Sequence, residues 1–266
     1  GFEALTQALC EQGWSKLQDL EREVADGLPG MVAALANGHV QQGLARQRAL
    51  RAKAIATRRE PITGTSEFPH LGEGAVDVLA VAPVVRSKPE SSREAGAEAI
   101  ASKTMLAAEA LPSVRLAEDF EALRDAAEAA AVQLGKRPTV FLATLGSIAD
   151  FTARAGFARN LFEAGGLAAP GHDGFPGTEG TDLTALVATF EASGAKLACL
   201  CGSDAGYAGE AVAAAQALRA KGATVWLAGG PGDLEGALNQ AGVSAFIFAG
   251  CDVIEPLRSA HAIAAA

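Results

Sequence analysis

Residues able to do chemistry cluster in the second half of this sequence. In APGHDGFPG, residues 169–177, His172 and Asp173 stand side by side among glycines and prolines. A histidine beside a carboxylate can move protons, and a histidine in such a loop can ligate a metal. Cys199 and Cys201 lie two apart in KLACLCG, which turns both thiols to one face of a strand and would suit a redox pair. Ser203 and Asp204 follow at once, and Gly229 and Gly230 belong to AGGPGD, whose backbone could cradle a phosphate at a helix N-terminus. Arg46, Arg48, Arg51, Lys53, Arg58 and Arg59 fall between Gln41 and Arg59 with no acid among them, enough charge to attract nucleic acid or an acidic partner.

Plainer explanations compete with each of these. A metal site needs three or four converging ligands, and the other histidines, His39, His70 and His261, are remote in sequence. No nucleophile adjoins His172 and Asp173, and neighbours in sequence rarely orient one another as a triad requires. A solvated loop turned by Gly and Pro is the expected structure there. Free cysteines are ordinarily small core residues, and Ser203 with Asp204 reads first as a loop cap. AGGPGD has neither a lysine nor a full Gly-x-Gly-x-x-Gly pattern. The basic run suits a partner-subunit contact and a solvated helix face equally. Nucleic acid is disfavoured, because no aromatics interleave with these charges and 22 Lys plus Arg against 31 Asp plus Glu give a net charge of −9. No catalytic residue and no metal ligand is assigned.

Something must position these residues, and the chain divides into two unlike parts. Residues 1–112 read as a mostly helical, extended arm. Phe2, Leu5, Leu9, Trp14, Leu17, Leu20 and Val24 give an apolar helical face, and a second helix is expected over 31–57, weakened by Gly38 and Gly43. REPITGTSEFPHLGEG, residues 59–74, carries too many Pro and Gly for regular structure and is expected as an extended tether. VDVLAVAPVV would be an isolated strand and REAGAEAIASKTMLAAEA a further helix. Such an arm cannot close a core alone and should pack on something else.

Residues 113–266 alternate instead. Apolar runs at FLAT, LACLC, TVWLA and AFIF, each followed by Gly, are separated by helical patterns of about 10–15 residues. That alternation predicts an α/β domain: a doubly wound, flavodoxin-like parallel sheet of about five strands, with ligands beyond the strands' carboxyl ends. With 266 residues and 49% hydrophobic content the chain is long enough for a real core. Four scattered cysteines suggest a reducing compartment, and no apolar run reaches the roughly 18–20 residues of a membrane span, so a cytoplasmic protein is expected. A start at Gly1 inside a helical pattern suggests a piece of a longer polypeptide.

At these residues a family resemblance enters. RLAEDFEALRDA and FLATLGSIADFTARAGFARNLFEAGG resemble the carboxy-terminal half of the small subunit of bacterial methylmalonyl-CoA mutases; RREPITGTSEFP resembles its linker, and GFEALTQALCEQGW the end of its barrel domain. The resemblance implies a cytoplasmic heterodimer that interconverts methylmalonyl-CoA and succinyl-CoA with adenosylcobalamin. A large subunit binds cofactor and substrate, and this chain is its non-catalytic partner. Residues 1–112 would then be a barrel remnant plus interdomain linker, and 113–266 a cobalamin-binding-like domain. Family members that hold cobalamin place Asp-x-His-x-x-Gly after the first strand of this domain, with the histidine on cobalt. Here that stretch is LGSIADFTARAG, without histidine. His172 cannot supply the pattern, because Pro170 and Phe175 stand where Asp and Gly are needed. Ser-x-Leu after the third strand is replaced by Gly202, Ser203 and Asp204, while the glycine pair survives as Gly229 and Gly230. No cofactor is therefore expected in this chain, and Gly146, Ser203, Gly229 and Gly230 are read as a relict pocket. The competing reading is a binding module for a corrinoid or another nucleotide-like cofactor at the same strand ends.

Overall fold

The computed structural model describes residues 1–25, 27–73, 108–178, 180–230 and 232–265. Its contacts form two compact units, one built on Gly1–Ala49 and the other on Leu50–Glu73 with the chain from Val114 onward.

In the first unit α1 (Phe2–Glu21) leads through a two-residue hairpin, β1 (Val24–Ala25) and β2 (Leu28–Pro29), to α2 (Met31–Ala36). The single helix expected over 31–57 is broken at Asn37–Gly38, after which α3 (His39–Ala56) begins. No residue of α1 is buried. Phe2, Leu5, Leu9, Trp14 and Leu17, the apolar face legible in the sequence, are exposed, Phe2 to 88% and Trp14 to 62%. The expected strand over 76–85 lies outside the described residues, as does the expected helix over 93–110 except for 108–110, which are not helical.

The second unit carries the alternation the sequence promised: α4 (Glu118–Leu134), β3 (Val140–Thr144), α5 (Ile148–Ala164), α6 (Leu183–Ser193), β4 (Leu197–Cys201), α7 (Asp204–Gly206), a π-helical turn over Tyr207–Ala211, α8 (Val212–Ala220), β5 (Thr224–Ala228), α9 (Glu235–Ala241), β6 (Val243–Ile247) and α10 (Ile254–Ala264). The strands pair in parallel in the order β3-β4-β5-β6. Because side chains alternate along a strand, Val140 and Leu142 face a core with Phe120 of α4, Leu161 and Phe162 of α5 and Leu257 of α10. Phe141 and Ala143 face another with Leu186 and Phe190 of α6, Leu218 of α8 and Leu238 of α9. This is the doubly wound, flavodoxin-like α/β fold.

Among the described residues the sheet has four strands where about five were expected. The missing edge strand is reduced to one bridge, Thr139 with Ala168, in which Ala168 N–H donates to Pro138 O at 2.9 Å and Val140 N–H to Ala168 O at 2.8 Å. Pro170, Gly171 and Gly174 follow within six residues and stop the ladder there.

The segment expected as an extended tether is instead a tight turn docked on this unit. Gly64 N–H donates to Glu67 O at 2.7 Å, Ile62 N–H to the Ser66 hydroxyl at 2.9 Å, and Ser66 is fully buried. Arg124 pins the turn, donating to Gly64 O and Thr65 O at 3.0 and 2.7 Å and to Ala164 O at 3.0 Å. The carboxyl end of α5 is thereby capped by three side chains, since Arg137 donates to Gly166 O at 3.0 Å and His261 lies 2.7 Å from Gly165 O. These groups complement the negative end of the helix dipole. Among the described residues no helix is long and apolar enough to cross a membrane.

Phe162 is fully buried between the sheet and α5 and lies 6.0 Å, centroid to centroid, from Trp226. Phe162→Ala should lower the unfolding free energy by about 3–5 kcal/mol, measured by urea denaturation of the whole chain.

Candidate functional site

In a sheet of this kind the carboxyl ends of the strands present backbone groups that a ligand ordinarily engages. Here those ends are Leu145–Ser147 after β3, Gly202–Asp204 after β4, Gly229–Gly230 after β5 and Phe248–Gly250 after β6. Gly146 has φ +79, and a Cβ there would lie 3.0 Å from the Asp150 carboxylate, so the turn into α5 requires glycine. That turn also seats the helix start: Asp150 Oδ2 accepts from Ser147 N–H at 2.9 Å and from the Ser147 hydroxyl at 2.6 Å. These hydrogen bonds, the hydroxyl's first, hold the Asp150 carboxyl below the usual carboxylate range.

Two turns along α5, Arg154 reaches back over the strand ends. Its Nη1 donates to Gly202 O at 2.9 Å and its Nη2 to Asp204 Oδ1 at 2.5 Å. The guanidinium carbon stands 4.8 Å from the centroid of the Tyr207 ring. A Cβ on Gly229 would lie 3.2 Å from that same carbon. Burial works against the Arg154 charge, but the hydrogen bond to Asp204 and the Tyr207 oxygen outweigh it, and its pKa is raised.

Tyr207 fills the space beneath. Its buried hydroxyl accepts from Gly202 N–H at 3.0 Å and is 2.7 Å from Ala228 O and 3.1 Å from Leu200 O, so one phenol ties the ends of β4 and β5 together. Burial, more than any neighbour, pushes the phenol pKa far up, so it stays protonated. The π-helical turn that begins at Tyr207 inserts one extra residue into the helix after β4. It ends near Glu210, whose carboxylate accepts from Thr181 N–H at 3.1 Å; Thr181 Oγ1 in turn accepts from Gly146 N–H at 2.8 Å.

The residues singled out from sequence separate in the structure. Gly229 lies against Arg154 and Gly146 against Asp150, Ser203 stands between the Arg154 partners Gly202 and Asp204, and Gly230 is exposed with open space at its Cβ position. Ser203 is the cap of α7, its hydroxyl accepting from Gly206 N–H at 3.1 Å, and Asp204 is the Arg154 partner. Cys199 and Cys201 are fully buried in the core, and burial pushes the Cys199 thiol well up, which opposes thiolate chemistry. Among the described residues no group of three His, Cys, Asp or Glu could hold a metal.

The loop around His172 is mostly exposed, as expected, but the His172 ring itself turns inward. Its Nε2 lies 2.6 Å from Leu142 O and its Nδ1 accepts from Gly174 N–H at 3.2 Å, an arrangement that places the proton on Nε2. The ring stacks on Phe141 at 5.6 Å and touches Phe175 at 4.5 Å. Val140 and Leu142 point their backbone groups to the same edge of β3, so His172 replaces the hydrogen bond that the absent edge strand would have made. Asp173 is exposed and takes no part. In the basic run, Arg46, Arg48 and Lys53 are exposed, and Arg51 pairs with Glu60 at 3.7 Å on the surface.

Neither Arg154 nor Tyr207 was found by sequence reasoning. The one available signal was that Tyr207 is the only tyrosine in the chain and follows a strand end by six residues.

Comparison with known proteins now bears on this geometry. The family model for methylmalonyl-CoA mutase matches residues 2–152. The chain belongs to the methylmalonyl-CoA mutase family. It is 40% identical over 257 residues to a methylmalonyl-CoA mutase small subunit of Streptomyces virginiae, covering 97% of this chain and 36% of that protein. It is 32% identical over 266 residues to the small subunit of Propionibacterium freudenreichii subsp. shermanii, with 97% and 35% covered, and 30% identical over 258 residues to that of Porphyromonas gingivalis, with 97% and 37% covered. The chain thus spans about a third of the length of the curated relatives it matches. No histidine lies between Gly146 and Gly156, and the side chains of Arg154 and Tyr207 are bonded to the ends of β4 and β5.

Tyr207→Phe removes the phenol from three buried backbone partners while keeping the ring. It should cost about 1–3 kcal/mol in a denaturation experiment, more than loss of an exposed hydroxyl would.

Proposed function

We propose that this chain acts as the non-catalytic small-subunit component of an adenosylcobalamin-dependent methylmalonyl-CoA mutase, an isomerase that interconverts methylmalonyl-CoA and succinyl-CoA. In this reading a large catalytic subunit holds cobalamin and substrate. The present chain stabilises that partner as a heterodimer, holds no cobalamin and has no mutase activity alone.

The observation that carries the reading is the self-contained strand-end cluster. Arg154 donates to Gly202 O, and the Tyr207 hydroxyl accepts from Gly202 N–H and has one proton for Ala228 O, the nearer of its two carbonyl neighbours, so these strand-end groups find partners within the chain. The names of the relatives support a subunit role, and the uncovered apolar face of α1 supports a chain that packs on further polypeptide.

Mixing the chain with a catalytic large subunit and separating the mixture by gel filtration tests this. The expected result is one co-eluting species whose cobalamin absorbance scales with the large subunit alone. Separate elution, or mutase turnover by this chain by itself, would refute the proposal.

A further inference from the structure

A cavity outside the strand-end cluster is built unlike a structural seam. It has a volume of about 340 Å³ and is lined by Thr57, Arg58, Glu67, Phe157, Asn160 and Phe248 and by the turn that follows Phe248. That size suits a small molecule, and neither Arg154 nor Tyr207 contributes to it.

Arg58 is the unusual residue. It follows α3 with φ +57, its N–H donating to Ile55 O at 2.9 Å and the next N–H to Ala54 O at 2.8 Å. This is the left-handed position after a helix that glycine ordinarily fills and a long side chain enters only with strain. Its side chain is only 10% exposed. Nη1 lies 3.3 Å from Glu67 Oε1, and the guanidinium sits 5.7 Å from the Phe157 ring centroid. Nε and Nη2, both buried, have no acceptor, and the buried Oδ1 of Asn160 has no donor. Burial lowers the Arg58 pKa against the opposing pull of Glu67. Glycine at this position would remove the strain, the buried charge and the orphaned donors together, and the pairing with Glu67 and the contact with Phe157 use only part of the guanidinium. An arginine offers five donors, and with one turned towards Glu67 the rest remain for a second acceptor.

We propose that this cavity binds a small organic oxyanion, a carboxylate or a phosphate, whose charged end pairs with Arg58, whose adjacent hydroxyl or N–H meets Asn160, and whose apolar body rests on Phe157 and Phe248.

The test uses the whole chain with mandelate, malate and inorganic phosphate as probes, read by thermal unfolding and, for the two hydroxy acids, by saturation-transfer NMR. At ten times its Kd a bound probe should raise Tm by about 3 °C. A response to a carboxylate but not to phosphate assigns the head group as carboxylate, and the reverse assigns phosphate. Arg58→Gly should unfold at the same or a higher temperature than the native chain and bind the responding probe at least tenfold more weakly; Asn160→Ala should weaken it severalfold. Silence from all three probes overturns the proposal. So does binding that survives Arg58→Gly, or a marked fall in Tm for that variant, which would make Arg58 a clamp for the Thr57–Glu67 turn.

Discussion

Backbone polar groups at the ends of parallel strands must find partners, and at the ends of β4 and β5 one guanidinium and one phenol meet several of them. Arg154 spans Gly202 O and Asp204 over the Tyr207 ring, while the Tyr207 hydroxyl joins the ends of β4 and β5. Most of the attraction between Arg154 and Asp204 is screened, since the Asp204 side chain is 89% exposed, so the pair contributes at most about 1 kcal/mol. The buried hydroxyl matters more, because each strand-end group left without it would lose a hydrogen bond in a dry place. Gly229 and Gly146 then keep the backbone clear for Arg154 and for the Asp150 cap.

The sheet was legible because its four apolar runs are short, each bounded by Gly, and separated by helical patterns of ordinary length. Its edge was not. Leu167–Ala169 is apolar enough to begin a strand, but Pro170 and Gly171 end it after one bridge, and what completes the edge is a histidine hydrogen bond to Leu142 O. Such a substitution of side chain for backbone leaves no periodic trace. The Thr57–Glu67 turn failed for a related reason: Pro and Gly excluded helix and strand correctly, but docking by Arg124, 60 residues away, decided that the segment is compact. The Arg154 cluster joins groups separated by about fifty residues on two elements, so no local motif announces it.

The two units differ in how far they satisfy themselves. The second has a core on both faces of its sheet and capped helix ends, whereas in the first only Ala33 and Ala34 are buried apolar residues among those described. An arm of helices with an open apolar face costs solvation that further polypeptide would recover.

The central claim is that the chain's own side chains occupy the strand-end ground that cobalamin would need. The direct measurement is a visible-spectrum titration of the isolated chain with aquacobalamin, followed by desalting. The account predicts the spectrum of free cobalamin throughout and no corrinoid retained with the protein. Stoichiometric retention with a shifted spectrum would mean that Arg154 and Tyr207 yield to the cofactor and that the strand ends are a working site.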